Sequence, residues 1–398
     1  MRYQLEGSQA IAKAVALCRP KVVCAYPITP QTHVVEGIGE VVRSGELSDC
    51  KFINVESEMA ALSVAIGSQA TGVRSYTATS SQGLLYMMEA VYNASGLELP
   101  IVMTLGNRAI GSPINIWNDH SDAMAGRDSG WIMLFAETNQ EALDLHIQAF
   151  KIAEKIGLPV MVCVDGFILT HAYEPVDIPS QKEVDAFLPS YVPTVSLDIH
   201  KPLAIGTMVS PEYFMEVRYL AHQKQIDALQ VICCIGEEFK KQFGRNSGGL
   251  LSEYKTEDAE VIVVTLGSIA GTIKDVIDDL NSRGKKFGVI SIVSYRPFPA
   301  DALKDSLKRA KMVIVVEKAF AVGIGGILSH EIELIMKDTE VEVFSIIAGL
   351  GGRSITKPML QEYFLRKKYE KATFLGLKKK IIADKYEVRS CSNQEGSV

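Results

Sequence analysis

The chain has 398 residues, 47% apolar and 22% charged, the balance of a folded protein with room for two or three domains. A net charge of −6 gives no basis for wholesale nucleic-acid binding, and no uninterrupted apolar stretch reaches the roughly 20 residues of a membrane helix. The seven scattered cysteines contain no Cys-x-x-Cys pair and so offer no iron–sulfur or zinc framework.

In chain order, the start MRYQLEGSQA lacks the apolar core of a signal peptide, and the expected location is cytoplasmic, with no membrane partner. Apolar runs at 21–25, 52–55, 75–78, 101–105 and 160–164 read as strands. Helical patterns separate them, notably at 59–69, 83–95 and 141–156, and this alternation predicts a parallel sheet with helices on both faces. Residues 175–205 are proline-spaced and expected to be irregular; a helix follows from about 212 to 243 and closes in GRNSGG. A second series then has strands at 261–265, 287–293, 312–316 and 343–347, with helices at 270–281, 300–308 and 328–336. The division is placed near residue 256, giving α/β domains at 1–255 and 256–383 and a polar, frayed tail at 384–398. Cys24, Cys163, Cys233 and Cys234 lie in apolar runs and are expected as small core residues in a reducing compartment.

Ligands of open parallel sheets gather at the carboxyl ends of the strands, so the segments after each strand are the places to look. After the first strand comes YPITP, in which Pro27 and Pro30 stiffen the loop around Ile28 and Thr29. Pro30 suits the first helical position and Thr29 the N-cap, which describes either a carboxylate receptor or an ordinary strand–helix turn. After the second strand, Glu56 and Glu58 flank Ser57. They are first-turn partners of a helix dipole or a proton-exchanging carboxylate, and the spacing does not choose between the two acids. Arg108 follows the fourth strand, where an arginine suits either a small carboxylate or an ion pair. Asp119, His120 and Asp122 match no metal-site spacing and are expected to hydrogen-bond within an ordered loop. GSIAGT at 267–272 and GIGG at 323–326 are neither dinucleotide fingerprint nor Walker A; they are expected as tight turns, as is RPFP at 296–299.

Taken in order, YPITP, SQGLLYM, NRAIGSPINIWNDHSD with RDSGW, VDGFILTH, RPFP and GLGGR closely resemble the alpha subunits of the multi-subunit pyruvate (2-oxoacid):ferredoxin oxidoreductases over nearly the whole chain. The resemblance implies a pyrimidine-binding domain of thiamine enzymes, followed by a transketolase C-terminal-like α/β domain. It also implies the reversible conversion of pyruvate, CoA and oxidised ferredoxin to acetyl-CoA, CO2 and reduced ferredoxin on thiamine diphosphate. Residue by residue, it makes Thr29 a substrate contact, Arg108 the group that binds the substrate carboxylate, and Glu58, in preference to Glu56, the partner of the cofactor's aminopyrimidine ring. The resemblance also implies that Pro27 stands beside the cofactor. The Gly-Asp-Gly segment that anchors diphosphate in thiamine enzymes is missing, since Val164-Asp165-Gly166 lacks the first glycine. The chain is therefore expected to be half an active site. The diphosphate, Mg2+ and iron–sulfur clusters are expected on partner chains: a thiamine-binding beta subunit, a gamma subunit and a ferredoxin-like delta subunit. A branched-chain or other 2-oxoacid is the alternative substrate, although Ser112-Pro113-Ile114-Asn115 resembles the pyruvate type more than the 2-oxoglutarate type. A non-catalytic scaffold and a nucleotide-binding protein built on GIGG are the readings from other classes.

Overall fold

The computed structural model describes residues 2–383, so the polar tail and Cys391 lie outside the described residues. The first half runs β1 (Arg2–Glu6), α1 (Gly7–Leu17), β2 (Val22–Ala25), α2 (Thr32–Arg43), β3 (Lys51–Asn54), α3 (Glu58–Ala70), β4 (Ser75–Thr79), α4 (Gln82–Tyr86), α5 (Met88–Gly96), β5 (Val102–Asn107), α6 (Ser121–Gly126), β6 (Ile132–Phe135), α7 (Asn139–Ile156), β7 (Val160–Asp165), β8 (Tyr173–Asp177), α8 (Gln181–Phe187) and α9 (Pro211–Phe243). The second runs β9 (Leu251–Tyr254), β10 (Val261–Thr265), α10 (Ile269–Asn281), β11 (Phe287–Ile292), β12 (Ser294–Arg296), α11 (Ala300–Leu307), β13 (Met312–Glu317), α12 (Ile327–Met336), β14 (Glu342–Ile347), α13 (Lys357–Phe364), β15 (Ala372–Phe374) and α14 (Lys379–Ala383).

Among the described residues the strands form two large sheets and a small ribbon. The first sheet has the order β12-β6-β7-β5-β4-β2-β3 and is parallel except for β12 at its edge. The second has the order β15-β14-β13-β10-β11-β9 and is parallel except for β9. β1 and β8 pair as an antiparallel ribbon. Central strands such as β5 and β7 are buried along their whole length because helices cover both faces, which is why they read as continuous apolar runs. Leu105, Phe135 and Met161 of the first sheet share one buried cluster with Val264, Ile290 and Val315 of the second, so the two sheets sit on a common core. The strand after β11 crosses back to join the first sheet, which links the halves a second time.

Several elements depart from the sequence reading. The helix expected over 83–95 breaks at Met87 into α4 and α5. Residues 175–205 hold more order than expected: β8 pairs with β1, and α8 starts in a capping box in which Ser180 and Glu183 satisfy each other's backbone N–H. Cys24 and Cys163 are buried as expected, but Cys233 is only half-buried and Cys234 is exposed. They lie on α9, where the run is apolar but only one stripe, from Ala228 and Ile232 to Phe239, faces the core.

Candidate active site

The chain leaves β2 for β3 on one flank and then returns to β4 on the other, which makes the β2–β4 junction a switch point of the first sheet. Gln31 fills it, buried, with Nε2 donating to the carbonyls of Tyr26 at 2.9 Å and Ala78 at 3.4 Å. The helix after YPITP begins at Thr32 with Gln31 before it, and the Thr29–Pro30 peptide is cis. Pro30 is therefore not the first helical residue and Thr29 is not the N-cap. Pro30 is buried and packs near Gly166, while Pro27 and Thr29 stand exposed on the loop.

Arg108 lies just beyond β5 and is only 8% exposed. Its Nη1 donates to the carbonyl of Thr29 at 2.9 Å and its Nε to the carbonyl of Asn115 at 3.3 Å. Nη2 makes no hydrogen bond among the described residues, so one edge of the fork stays available. Burial lowers the Arg108 pKa, with Asp122 opposing that shift.

Asp122, fully buried, is the hub behind this arginine. It accepts from the backbone N–H groups of Ser81 at 2.9 Å, Arg108 at 3.0 Å and Ala123 at 2.7 Å, and from Asn107 Nδ2 at 3.0 Å. One carboxylate thus fixes the loop after β4 to the loop after β5. Burial pushes its pKa up to about 7 against the pull of those donors. Asp119 accepts from Ser121 and from the Gly351 N–H at 3.0 Å, and His120 Nε2 meets Asp165 Oδ1 at 2.6 Å. All three residues are thus engaged in hydrogen bonds, but not only within their own loop as expected: Asp122 reaches Ser81, His120 reaches Asp165 and Asp119 reaches Gly351.

Glu58 opens α3, where Ser57 caps the helix by accepting from the Ala60 N–H at 3.2 Å. Glu58 is 7% exposed and its carboxylate has no hydrogen-bond partner among the described residues, whereas Glu56 is exposed. It lies over Gly83, where a Cβ would come within 2.7 Å of its Oε1 and 2.4 Å of Thr79 Oγ1. A carboxylate removed from water and left unpartnered within its own chain is costly unless something else meets it.

The second half braces this site. Asn115 Nδ2 donates to the carbonyl of Gly351 at 3.1 Å, and Gly352 N–H donates to the carbonyl of Asn118 at 2.7 Å. Gly352 has φ +79° and its Cα faces Trp117, where a Cβ would lie 2.4 Å from the Trp117 Cβ.

Both glycine turns of the second half are filled from within. β10 and β13 diverge at that sheet's own switch point, and Asp165 of the first half sits in it. Its Oδ2 accepts from Lys318 Nζ at 2.7 Å and from the N–H and hydroxyl of Ser268. Burial pushes the Asp165 carboxyl up, but the Lys318 ammonium and then His120 outweigh it and hold it well below the usual carboxylate range. At the end of β13, Glu317 accepts from the N–H groups of Ile327 at 2.7 Å, Leu328 at 2.8 Å and Ser329 at 3.2 Å at the start of α12. The anion position at that helix N-terminus belongs to an internal carboxylate. These turns are structural, as expected of GSIAGT and GIGG.

Residues 13–233 match the family described as pyruvate flavodoxin/ferredoxin oxidoreductase, thiamine diphosphate-binding, and residues 259–359 match pyruvate:ferredoxin oxidoreductase core domain II. The chain belongs to the pyruvate:ferredoxin oxidoreductase family. It is 44% identical over 378 residues to pyruvate synthase subunit PorA of Methanothermobacter thermautotrophicus, covering 94% of this chain and 98% of that one. Ketoisovalerate oxidoreductase subunit VorA of Pyrococcus horikoshii is 39% identical over 88% of this chain and 90% of its own length. Among solved structures, 2-oxoglutarate:ferredoxin oxidoreductase from Magnetococcus marinus superposes with a TM-score of 0.68 at 20% identity, over 91% of this chain and 64% of that one. A split-gene transketolase gives a TM-score of 0.50 at 13% identity, over 90% of this chain and 93% of that one. The fold is that of the thiamine enzymes in this oxidoreductase family, as the motifs implied.

Sequence reasoning named Thr29, Arg108 and Glu58 separately; the structure joins Thr29 to Arg108 and Arg108 to Asp122, while Glu58 shares no hydrogen bond with them. Asp122 was visible as an acid in a polar loop. Nothing local marked it as the acceptor for two different strand ends. Lys318 carries one signal, a lone lysine directly after the buried run VIVVE, which is costly unless paired.

Proposed function

We propose that this chain is the alpha subunit of a pyruvate:ferredoxin oxidoreductase, acting reversibly on pyruvate, CoA and ferredoxin and supplying half of a thiamine diphosphate site. The observation that carries this reading is similarity to a pyruvate synthase subunit along nearly the whole of both chains, with a ketoisovalerate relative at lower identity.

The residues present fit the cofactor's ring. Glu58 is a buried carboxylate with no hydrogen-bond partner among the described residues, lying on a glycine that leaves it room. It would hold a ring nitrogen of the aminopyrimidine and exchange a proton there, and Pro27 would stand beside it. Thiamine diphosphate, when bound, supplies the electron sink for the pair left by departing CO2. Arg108 holds the substrate carboxylate with its free edge, and the Thr29 hydroxyl faces the substrate from a loop pinned to the same arginine. Orientation of this kind contributes up to about 7–11 kcal/mol of barrier lowering in favourable cases.

We divide the chain at about residue 256 into a half-site domain and a bracing domain. Partner beta, gamma and delta subunits would bring the diphosphate contacts, Mg2+, the iron–sulfur clusters and the route to ferredoxin. The surface supports an assembled protein: Ile199, Met208, Met215 and Leu220 crowd one exposed stretch, Met208 being 98% exposed, and Ile114 is exposed in the loop beside Arg108. No helix among the described residues is long and apolar enough to cross a membrane, and the location we propose is the cytoplasm.

The test is CoA-dependent reduction of ferredoxin by the chain co-purified with its partner subunits, with pyruvate, 3-methyl-2-oxobutanoate and 2-oxoglutarate in parallel. Pyruvate is expected to give the highest kcat/KM. A preference for 3-methyl-2-oxobutanoate keeps the chemistry and moves the substrate. No activity with any of the three, from a complex loaded with cofactor and clusters, overturns the proposal.

A further inference from the structure

Behind the YPITP loop, three segments that are distant in sequence bring Glu6, His33 and His171 together. Glu6 ends β1, His33 lies in the first turn of α2, and His171 lies in the turn after β7. Their ligating atoms all fall within 4.8 Å of one another, and each residue is half-buried. Glu6 Oε1 already meets His33 Nδ1 at 2.6 Å, and the two imidazole rings are 4.7 Å apart.

The contact between Glu6 and His33 accounts for two of these residues and leaves His171 outside it. The His171 ring lies between His33 and Phe167, whose ring centroid is 4.8 Å away. His171 also has the support that metal-bound histidines use: its Nδ1 is 2.8 Å from Thr170 Oγ1, which itself accepts from the Phe167 N–H at 2.8 Å. An Nδ1–H donated to that hydroxyl leaves Nε2 with a free lone pair.

We propose that Glu6, His33 and His171 form a binding site for a divalent first-row transition metal, with two imidazole nitrogens and one carboxylate oxygen as ligands and an open position toward solvent. This donor set suits zinc, which takes three protein ligands and a water in open sites. Ligand bonds of about 2 Å place the donor atoms roughly 3–3.5 Å apart, so the site must close slightly around the ion. The half-exposed His33 side chain has the freedom to do this. Occupancy would tie the root of the Thr29 loop to the turn that carries Phe167, whose ring packs on Trp117 at 4.7 Å.

The experiment uses the complex with its partner subunits, dialysed into buffer containing Mg2+ but free of transition metals and then equilibrated with graded zinc chloride. Bound zinc is counted by mass spectrometry in wild type and in the Glu6→Gln, His33→Ala and His171→Ala variants. The expected result is about one additional zinc per chain in wild type, with affinity weakened in each variant by at least the roughly ten- to a hundred-fold that loss of a ligand's supporting hydrogen-bond partner costs. Size-exclusion chromatography identifies which variants assemble. The Glu6→Gln change keeps side-chain shape and serves if a histidine variant does not assemble. Equal zinc binding by wild type and an assembled variant overturns the proposal, as does a wild type that takes up no zinc.

Discussion

Arg108 and Thr29, 79 residues apart in the chain, are joined by a hydrogen bond of 2.9 Å from Nη1 to the threonine's backbone carbonyl. The guanidinium that would receive the substrate carboxylate therefore also sets the height of the loop bearing the hydroxyl. The backbone carbonyl of Asn115 accepts from Nε, and Asp122 accepts from the arginine's own backbone N–H. Charge, loop and backbone are one unit, so damage at the arginine reaches all of them.

Arg108→Lys tests that unit. A single ammonium cannot hold two backbone carbonyls and present a flat fork to a carboxylate. Loss of one charged hydrogen-bonded contact is worth about 2–3 kcal/mol, so kcat/KM for the oxoacid is expected to fall roughly 30- to 150-fold, mostly through KM. Steady-state kinetics of the complex would show it. A change of less than about threefold would remove the arginine from substrate binding.

Glu58→Gln separates catalysis from folding. The carboxylate has no hydrogen-bond partner among the described residues, so its neutral isostere breaks no contact and is expected to leave the melting temperature of the chain unchanged or raise it. Loss of proton exchange is expected to lower kcat by about a hundred- to ten-thousand-fold. The exposed Glu56, changed in the same way, is expected to retain activity. If the two variants behave alike, the carboxylate has been misassigned.

The legible part of this molecule was the part written locally. Strands such as β10 and β13 announced themselves as short β-branched runs. The choice between Glu56 and Glu58 was not local: it came from the resemblance, and the folded chain shows Ser57 capping the helix that Glu58 opens. The thin strands β1, β8 and β9 did not, because each is an edge or ribbon strand without a continuous apolar run. The YPITP turn was misread because Pro at a helix start and Pro before it look alike in sequence, and only the register of Gln31 in the β2–β4 crevice decides. The joining contacts, Asp122 to Ser81 and Asn115 to Gly351, span 41 and 236 residues and depend on tertiary packing alone.

Gly326→Ala probes the glycine turn before α12. A Cβ at this position would stand 2.1 Å from Glu317 Oε1 and 2.2 Å from Ser329 Oγ, inside a closed site. Expelling that carboxylate strands three backbone donors, at about 1–3 kcal/mol for each left without water. The variant is expected to unfold at least several degrees earlier in a thermal melt. Inorganic phosphate is expected to leave the wild-type melt unchanged, because the helix end is already occupied. Stabilisation by phosphate would instead restore a ligand site there.

Lys318→Met should make the junction of the two halves pH-sensitive in a defined direction. In the wild type the Asp165 carboxyl lies well below its ordinary value of 3.8, so its contribution is complete above about pH 4. As pH falls below 4 the unfolded chain takes up a proton that the folded one refuses, and the contribution is lost. Removing the Lys318 ammonium leaves burial as the dominant influence and pushes that carboxyl up. The variant then binds the proton more readily folded than unfolded, and its stability rises as pH falls from 7 toward 5. Breaking a buried pair costs about 3–5 kcal/mol near neutrality. The gap in urea midpoint between wild type and variant is therefore expected to be large at pH 7 and clearly smaller at pH 5. A gap of equal size at both values would mean that Asp165 stays charged without Lys318, with His120 as its sufficient partner.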